Sequence, residues 1–220
     1  MFIYTVSYTT IMENTGYTML VAGVDEAGRG PLIGPVVAAA VVLPSDDKFP
    51  DDMYLSIKDS KKLSIKKREV LADYIRKHAI TYGIGVASPQ EIDQINILHA
   101  TMRAMERALT DAYKKQPFHH IMVDGQHFTT YIPPGIDSDA LTHECIVDGD
   151  NIHRNIGAAS ILAKTHHDML IRELIEQNPD YEKYGLKKNM GYGTAEHIRA
   201  LRQYGATPHH RRSFKPVSLL

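Results

Sequence analysis

The sequence predicts a layered α/β domain with a mixed sheet flanked by helices. Two nearly continuous apolar runs, 19–25 (MLVAGVD) and 36–43 (VVAAAVVL), stand on either side of a Gly/Pro-rich turn. Runs with strand periodicity then alternate with runs of helical periodicity, and the last part of the chain turns helical. The acids Asp25, Glu26, Asp124 and Asp150 close or follow apolar runs, and the strand ends of an open α/β sheet are where a site forms.

The two apolar runs read as strands covered on both faces, because each has too few polar residues to alternate with solvent. Residues 65–78 carry Ile65, Val70, Leu71, Tyr74 and Ile75 among charges, as an amphipathic helix does. ITYGIGVA (80–87) alternates like a third strand. Ser88-Pro89-Gln90-Glu91 is a capping box with proline at the first helical position, opening a helix that runs to about Lys115. HHIMVD (119–124) and THECIV (142–147) are a fourth and a fifth strand. Residues 152–177 read as one long helix stopped by Pro179. Thr194 to Tyr204 forms a last helix, with Gly205 in the C′ position.

At 220 residues with 43% hydrophobic and 23% charged side chains, the chain can bury one full core and is not a disordered polymer. Residues 19–220 read as one domain whose helical part begins near 179, preceded by an extension over 1–18. The single cysteine, Cys145, excludes an internal disulfide and a multi-Cys zinc site. The first basic residue is Arg29, so no basic region precedes an unbroken apolar one as in a secretory signal. No stretch reaches the ~18–20 apolar residues of a membrane span. The expectation is a cytoplasmic, monomeric protein without a membrane partner.

A net charge of −1 excludes a uniformly basic coat, but the charge is uneven. Residues 58–77 hold eight Lys/Arg against three acids, and 183–215 hold eight against Glu196 alone. Two basic segments on an acidic body suit a polyanion, and the bland alternative is a pair of solvated helix faces. Tyr192, Tyr204 and Phe214 add rings that can stack on sugars and bases.

Asp25 and Glu26 follow a buried strand into a glycine-rich turn, Asp124 closes HIMVD, and Asp150 follows IVDG. If these strands are neighbours the four carboxylates meet. Their repulsion then calls for cations, and an all-oxygen site suits Mg²⁺ or Mn²⁺. Two such ions ~3.5–4 Å apart form the clamp used in phosphodiester displacement. The loop AGRGPLIGP (27–35) fails as a dinucleotide fingerprint, because its third glycine is one residue late and a strand follows. It remains a loop whose backbone can approach a ligand closely, or a plain connection between two strands. Gly157, Ala158, Ala159, Ser160 and Ala163 make a small-residue face for close packing on a sheet. Lys164 and Asp168, four apart, read as a surface ion pair, with Asp168 an alternative outer member of the acid cluster. The twelve histidines form no metal-ligand spacing, and His210 is free to touch phosphate.

Together, GVDEAGRGPLIGPVVAAAVVL, DSKKLS, VDG, the GD before AASILAK, GYGT followed by His197, and HHRRSF resemble the ribonuclease HII family, in order from about residue 21 to 217. The resemblance implies a ribonuclease H-like fold. It implies cleavage of the RNA strand of RNA–DNA hybrids, and cleavage 5′ to single ribonucleotides in duplex DNA, leaving 5′-phosphate and 3′-hydroxyl ends. It puts the metal-binding, catalytic acids at Asp25, Glu26, Asp124 and Asp150. It gives the backbone of Gly28, Arg29 and Gly30 the ribose 2′-hydroxyl, Tyr192 the deoxyribose 3′ of the ribonucleotide, and Lys61 a phosphate. The chain departs from the family pattern at His167, where arginine is usual before the aspartate. The competing readings are a non-catalytic hybrid-binding protein on the same fold and, weakened by the loop spacing, a nucleotide-binding enzyme.

Overall fold

A computed structural model describes residues 19–57, 60, 63–135 and 140–220. The expectations for residues 1–18 and for Lys61 lie outside the described residues. Five strands form one sheet in the order β3-β2-β1-β4-β5: β1 (Val21–Ala27), β2 (Val36–Val42), β3 (Thr81–Ala87), β4 (His120–Asp124) and β5 (Thr142–Ile146). β1, β2 and β3 are antiparallel neighbours, and β4 and β5 run parallel to β1. The mixed sheet of the sequence reading is therefore present, and the C-terminal ends of β1, β4 and β5 share one edge of the molecule.

Every residue of β2 is buried. Val36, Ala38, Ala40 and Val42 face α2 (Pro89–Lys115), and Ala39 and Val41 face α1 (Ile65–His78) and α4 (Arg154–Gln177). This two-faced burial is the physical content of the unbroken apolar run. Ser88 caps α2 as expected: its Oγ accepts from Glu91 N–H, while the Glu91 carboxylate accepts from Ser88 N–H. α2 is nevertheless two helical runs. Asn96 sits at φ 64°, ψ 168°, and its Oδ1 caps the second run through Leu98 N–H and His99 N–H. Arg107 spans the break, gripping Glu91 with two nitrogens and the Val86 carbonyl with one of them.

The helix expected over 152–177 is also divided. A short α3 (Gly149–Ile152) ends at His153, whose backbone is extended, and α4 starts at Arg154. Asn155, in the first turn of α4, ties the layers together. Its Nδ2 donates to the Val21 carbonyl at 2.8 Å and its Oδ1 accepts from Leu43 N–H at 3.2 Å. α4 crosses β1 at Gly23, where an added Cβ would lie 2.2 Å from the Asn155 carbonyl carbon.

The C-terminal part comprises a 3-10 turn (Pro179–Tyr184), α5 (Leu186–Asn189), α6 (Ala195–Tyr204) and a 3-10 turn (Val217–Leu219). α6 is capped by Thr194, and Gly205 follows it directly in the C-cap position, one place earlier than expected. These elements bury Tyr184, Leu186, Leu201 and Val217 against Leu32 and Ile33 of the glycine loop. Residues 207–211 then run alongside that loop. Gly34 N–H donates to the His209 carbonyl at 3.0 Å, Arg211 N–H to that of Leu32 at 2.9 Å, and Leu32 N–H to that of Gly191 at 2.8 Å.

Candidate active site

Strand register brings the first acids together. Val24 pairs with Val123 in the parallel β1–β4 ladder, so Asp25 and Asp124 stand side by side on adjacent strands. Asp124 Oδ1 accepts from Gly149 N–H at 2.8 Å, which joins the end of β4 to the turn of helix carrying Asp150. Asp25 and Asp150 are buried; Glu26 and Asp124 are half-buried. All four occupy the shared strand-end edge. Asp25 accepts from the Glu26 N–H at 2.7 Å and from the Ser160 hydroxyl of α4. Burial raises its carboxyl well above the usual range, and the charges of Glu26 and Asp124 raise it further. Arg29 reaches Glu26 at 3.1 Å.

Among the described residues, no three His, Cys, Asp or Glu side chains are gathered closely enough to hold a metal ion unaided. The donor set nevertheless fits a hard dication. It is all carboxylate oxygen, and Asp25 is a buried acid pressed by two like charges, which a cation would relieve. Mg²⁺ in particular keeps waters and is held by one or two carboxylates plus substrate phosphate, so a closed protein cage is not required.

The glycine loop lies beside this edge. Gly28 has φ 87°, and a Cβ there would strike the His167 ring at 2.3 Å. Gly30 faces Tyr192, whose Cε1 would be 3.2 Å from an added Cβ. The exposed Tyr192 ring thus stands against Gly30, next in the chain to exposed Arg29, with Lys164 Nζ 5.9 Å from the ring centre. The loop and the GYGT tyrosine form one surface.

Behind Asp25 runs a polar chain. The Ser160 hydroxyl meets that of Ser60 at 2.8 Å, and Arg68 donates to the Ser60 carbonyl at 3.4 Å and approaches Asp168 at 3.5 Å. Asp168 also accepts from Lys164 at 2.7 Å and from His167 Nδ1 at 3.2 Å. Burial pushes its carboxyl up, but the bonds from His167 and Lys164 outweigh this and hold it below the usual range. The Lys164–Asp168 pair exists, yet it belongs to a buried network and not to a surface. His167 is fully buried, and its Nε2 lies under Gly28 with no hydrogen-bond partner among the described residues.

His210 is 1% exposed, so it is not free to touch phosphate. Thr207 N–H donates to its Nδ1 at 3.0 Å, which leaves the proton on Nε2. That proton goes to His197 Nε2 at 3.0 Å, and His197 Nδ1 in turn donates to the Tyr192 carbonyl at 3.0 Å. Two neutral histidines therefore brace the tyrosine loop. Burial above all, together with the repulsion a protonated ring would meet from His197, His209 and Arg212, lowers His210 to about 3. The unfolded chain binds this proton near pH 6.5 and the folded chain does not, so the contribution of His210 to stability is fully present above 6.5 and is lost as the pH drops toward 3. The slope is about 1.4 kcal/mol per pH unit per proton. His210→Gln flattens the dependence by about one proton in urea unfolding at pH 7, 6, 5 and 4.5. An unchanged slope refutes the assignment.

Several residues of this site escaped the sequence reading. Ser160 counted only as a small packing residue, Ser60 lay unremarked in DSKK, and Arg68 and Arg211 counted as surface charge, although they are 7% and 0% exposed. The small-residue face of α4 was the available signal for Ser160, since a lone hydroxyl on such a face needs a partner. Burial of the two arginines depends on contacts from distant elements.

A five-stranded sheet in this order, with three antiparallel strands followed by two parallel ones, helices on both faces and acids at the shared strand ends, defines a ribonuclease H-like protein. The family model for ribonuclease HII matches residues 22–217. A ribonuclease HII of Neisseria meningitidis serogroup C is 47% identical over 90% of this chain and 94% of its own length. The crystal structure of ribonuclease H2 from Pyrococcus horikoshii OT3 superposes with a TM-score of 0.70 at 28% identity, covering 91% of this chain and 96% of that one. Bst-RNase HIII, solved in complex with Mn²⁺, shares the fold at 18% identity and a TM-score of 0.65, over 91% of this chain and 68% of that one. The chain belongs to the ribonuclease HII family, and its enzymatic class is that of a ribonuclease H, an endonuclease and hydrolase. Among the described residues, no helix is long and apolar enough to cross a membrane.

Proposed function

We propose that the protein cuts the RNA strand of RNA–DNA hybrids, and cuts 5′ to single ribonucleotides embedded in duplex DNA, by metal-dependent hydrolysis. The observation that carries this reading is the adjacency of buried Asp25 and half-buried Asp124, which repel one another, to the joint surface of Gly28–Gly30 and Tyr192. Asp25, Glu26, Asp124 and Asp150 would hold Mg²⁺ or Mn²⁺, which supplies charge neutralisation at the phosphate and a water of lowered pKa.

The protein's own groups select the bond. The backbone of Gly28, Arg29 and Gly30 takes the ribose 2′-hydroxyl, the feature that separates RNA from DNA. Tyr192 stacks on the next sugar in the 3′ direction, and Lys61 takes a phosphate. With the ribonucleotide so held, the phosphate on its 5′ side faces the acids. That ribose's own 2′-hydroxyl borders the following phosphate, so it cannot attack this one and water must. The water oxygen bonds to phosphorus, the bond to the upstream O3′ breaks, and a proton passes to O3′. The products are a 3′-hydroxyl and a 5′-phosphate.

The test is a labelled DNA duplex with one ribonucleotide, incubated with the protein in Mg²⁺, Mn²⁺ or EDTA. A single cut 5′ to the ribonucleotide, present with metal and absent in EDTA, is expected. Tyr192→Ala should weaken that cut about tenfold, at ~1–3 kcal/mol per lost stack, and affect long hybrids less. Equal loss on both substrates contradicts junction reading by Tyr192; cleavage in EDTA contradicts the metal site.

A further inference from the structure

We propose that Arg211 is a positioning residue that sets ribose discrimination by holding the glycine loop from behind. This deepens the proposed ribose reading and rests on it. Arg211 is fully buried, and among the described residues no carboxylate pairs with its guanidinium. Its donors go to main-chain carbonyls of one loop. Nη2 donates to Gly28 at 2.6 Å and to Pro35 at 2.9 Å, Nη1 to Arg29 at 2.9 Å, and Nε to Gly34 at 2.9 Å. Burying a charge on neutral acceptors is costly unless its donors are well satisfied, and the planar fork suits several fixed acceptors at once. Burial lowers its pKa to about 10, still far above neutrality, so the charge persists.

The consequence follows from peptide geometry. In a trans peptide the C=O and the next N–H point in opposite directions. Drawing the Gly28 and Arg29 carbonyls inward turns the N–H groups of Arg29 and Gly30 away from Arg211, toward the exposed side where Tyr192 stands. Two successive donors are thus fixed outward before substrate arrives, and a buried cation behind them polarises both peptide units. The segment carrying Arg211 is itself held. Asp93 accepts from Arg212 N–H, Ser213 N–H and the Ser213 hydroxyl, and Gln90 donates to the Pro208 carbonyl. Positive charge buried this way touches no phosphate, so its effect is on selectivity and not on general affinity for polyanions.

The experiment compares wild type, Arg211→Lys and Leu109→Ala. The last removes a core side chain of α2 far from the loop and controls for lost stability. Affinity is measured in EDTA, where cleavage is blocked, for a DNA duplex with one ribonucleotide and for the same duplex in all-DNA form, over a range of salt. Arg211→Lys keeps the charge but cannot hold four carbonyls. It should lose about tenfold of the preference for the ribonucleotide duplex, as expected for one to two lost hydrogen bonds. Affinity for all-DNA duplex and its salt slope should stay as in wild type, and Leu109→Ala should keep the preference. A retained preference in Arg211→Lys, a salt slope changed by about one, or equal loss in Leu109→Ala overturns the proposal. No preference in the wild type instead removes the loop-reading assignment itself. If Arg211→Lys does not fold, NMR of arginine-labelled wild type decides: slow guanidinium rotation and slow solvent exchange at Arg211 support the clamp, and free rotation overturns it.

Discussion

Asp124→Asn is expected to lower cleavage by ~10³-fold or more while the metal-free protein melts no lower than wild type. Asparagine keeps the Oδ1 acceptor for Gly149 N–H, so the bond between the end of β4 and α3 survives. It removes one of the charges that press on Asp25, so the apo fold loses repulsion. What disappears, on the proposed reading, is a carboxylate ligand for the dication. Metal catalysis is worth several kcal/mol, and each ~1.4 kcal/mol is tenfold in rate. Adding Mn²⁺ should raise the melting temperature of wild type, because a ligand that binds only the folded state stabilises it, and should raise that of the variant much less. Turnover within tenfold of wild type would remove Asp124 from the metal site. A marked drop in the metal-free melting temperature would show that its role is structural.

Gly23→Ala should destabilise the protein by about 3 kcal/mol, which lies at the upper end for overpacking. Strand propensity alone predicts the opposite, since alanine is favoured over glycine by roughly 0.5–1 kcal/mol in a strand. The two accounts differ in sign, which makes urea denaturation decisive. The added methyl would meet the Asn155 carbonyl carbon at 2.2 Å and the Ile156 nitrogen at 2.3 Å. Both are main-chain atoms, so a rotamer change gives no relief. Either β1 or the first turn of α4 must move, and that turn follows Asp150 while β1 carries Asp25. Activity should fall alongside stability. A variant as stable as wild type would mean that α4 sits farther from the sheet than described.

Much of the architecture was legible because the signals were local or periodic. The VVAAAVVL run required burial on both faces, and β2 has it. The Ser88–Glu91 box required a helix start, and α2 starts there. The break at Asn96 was hidden because its neighbours keep helical periodicity. Only the backbone angles reveal that its side chain caps a second run. His153 interrupts the next helix for a similar reason, as an extended residue between two helical segments with no proline or glycine to mark it. The acids could be picked out as strand-end residues, but their adjacency depended on β4 pairing in parallel with β1, which no local pattern specifies. Arg211 was the least legible. In HHRRSF it is one basic residue among others, and its burial exists only because the glycine loop, 183 residues upstream of it at Gly28, supplies the acceptors.

That separation has a consequence on the ribosome. Translation delivers all five strands and the four acids before residue 178, while Arg211 follows more than thirty residues later. At roughly 5–20 residues per second, a nascent chain carries its sheet and acids for a second or more before the residue that clamps its glycine loop is added. If Arg211 sets ribose discrimination as proposed, that discrimination is acquired only after the sheet and the acids have been made.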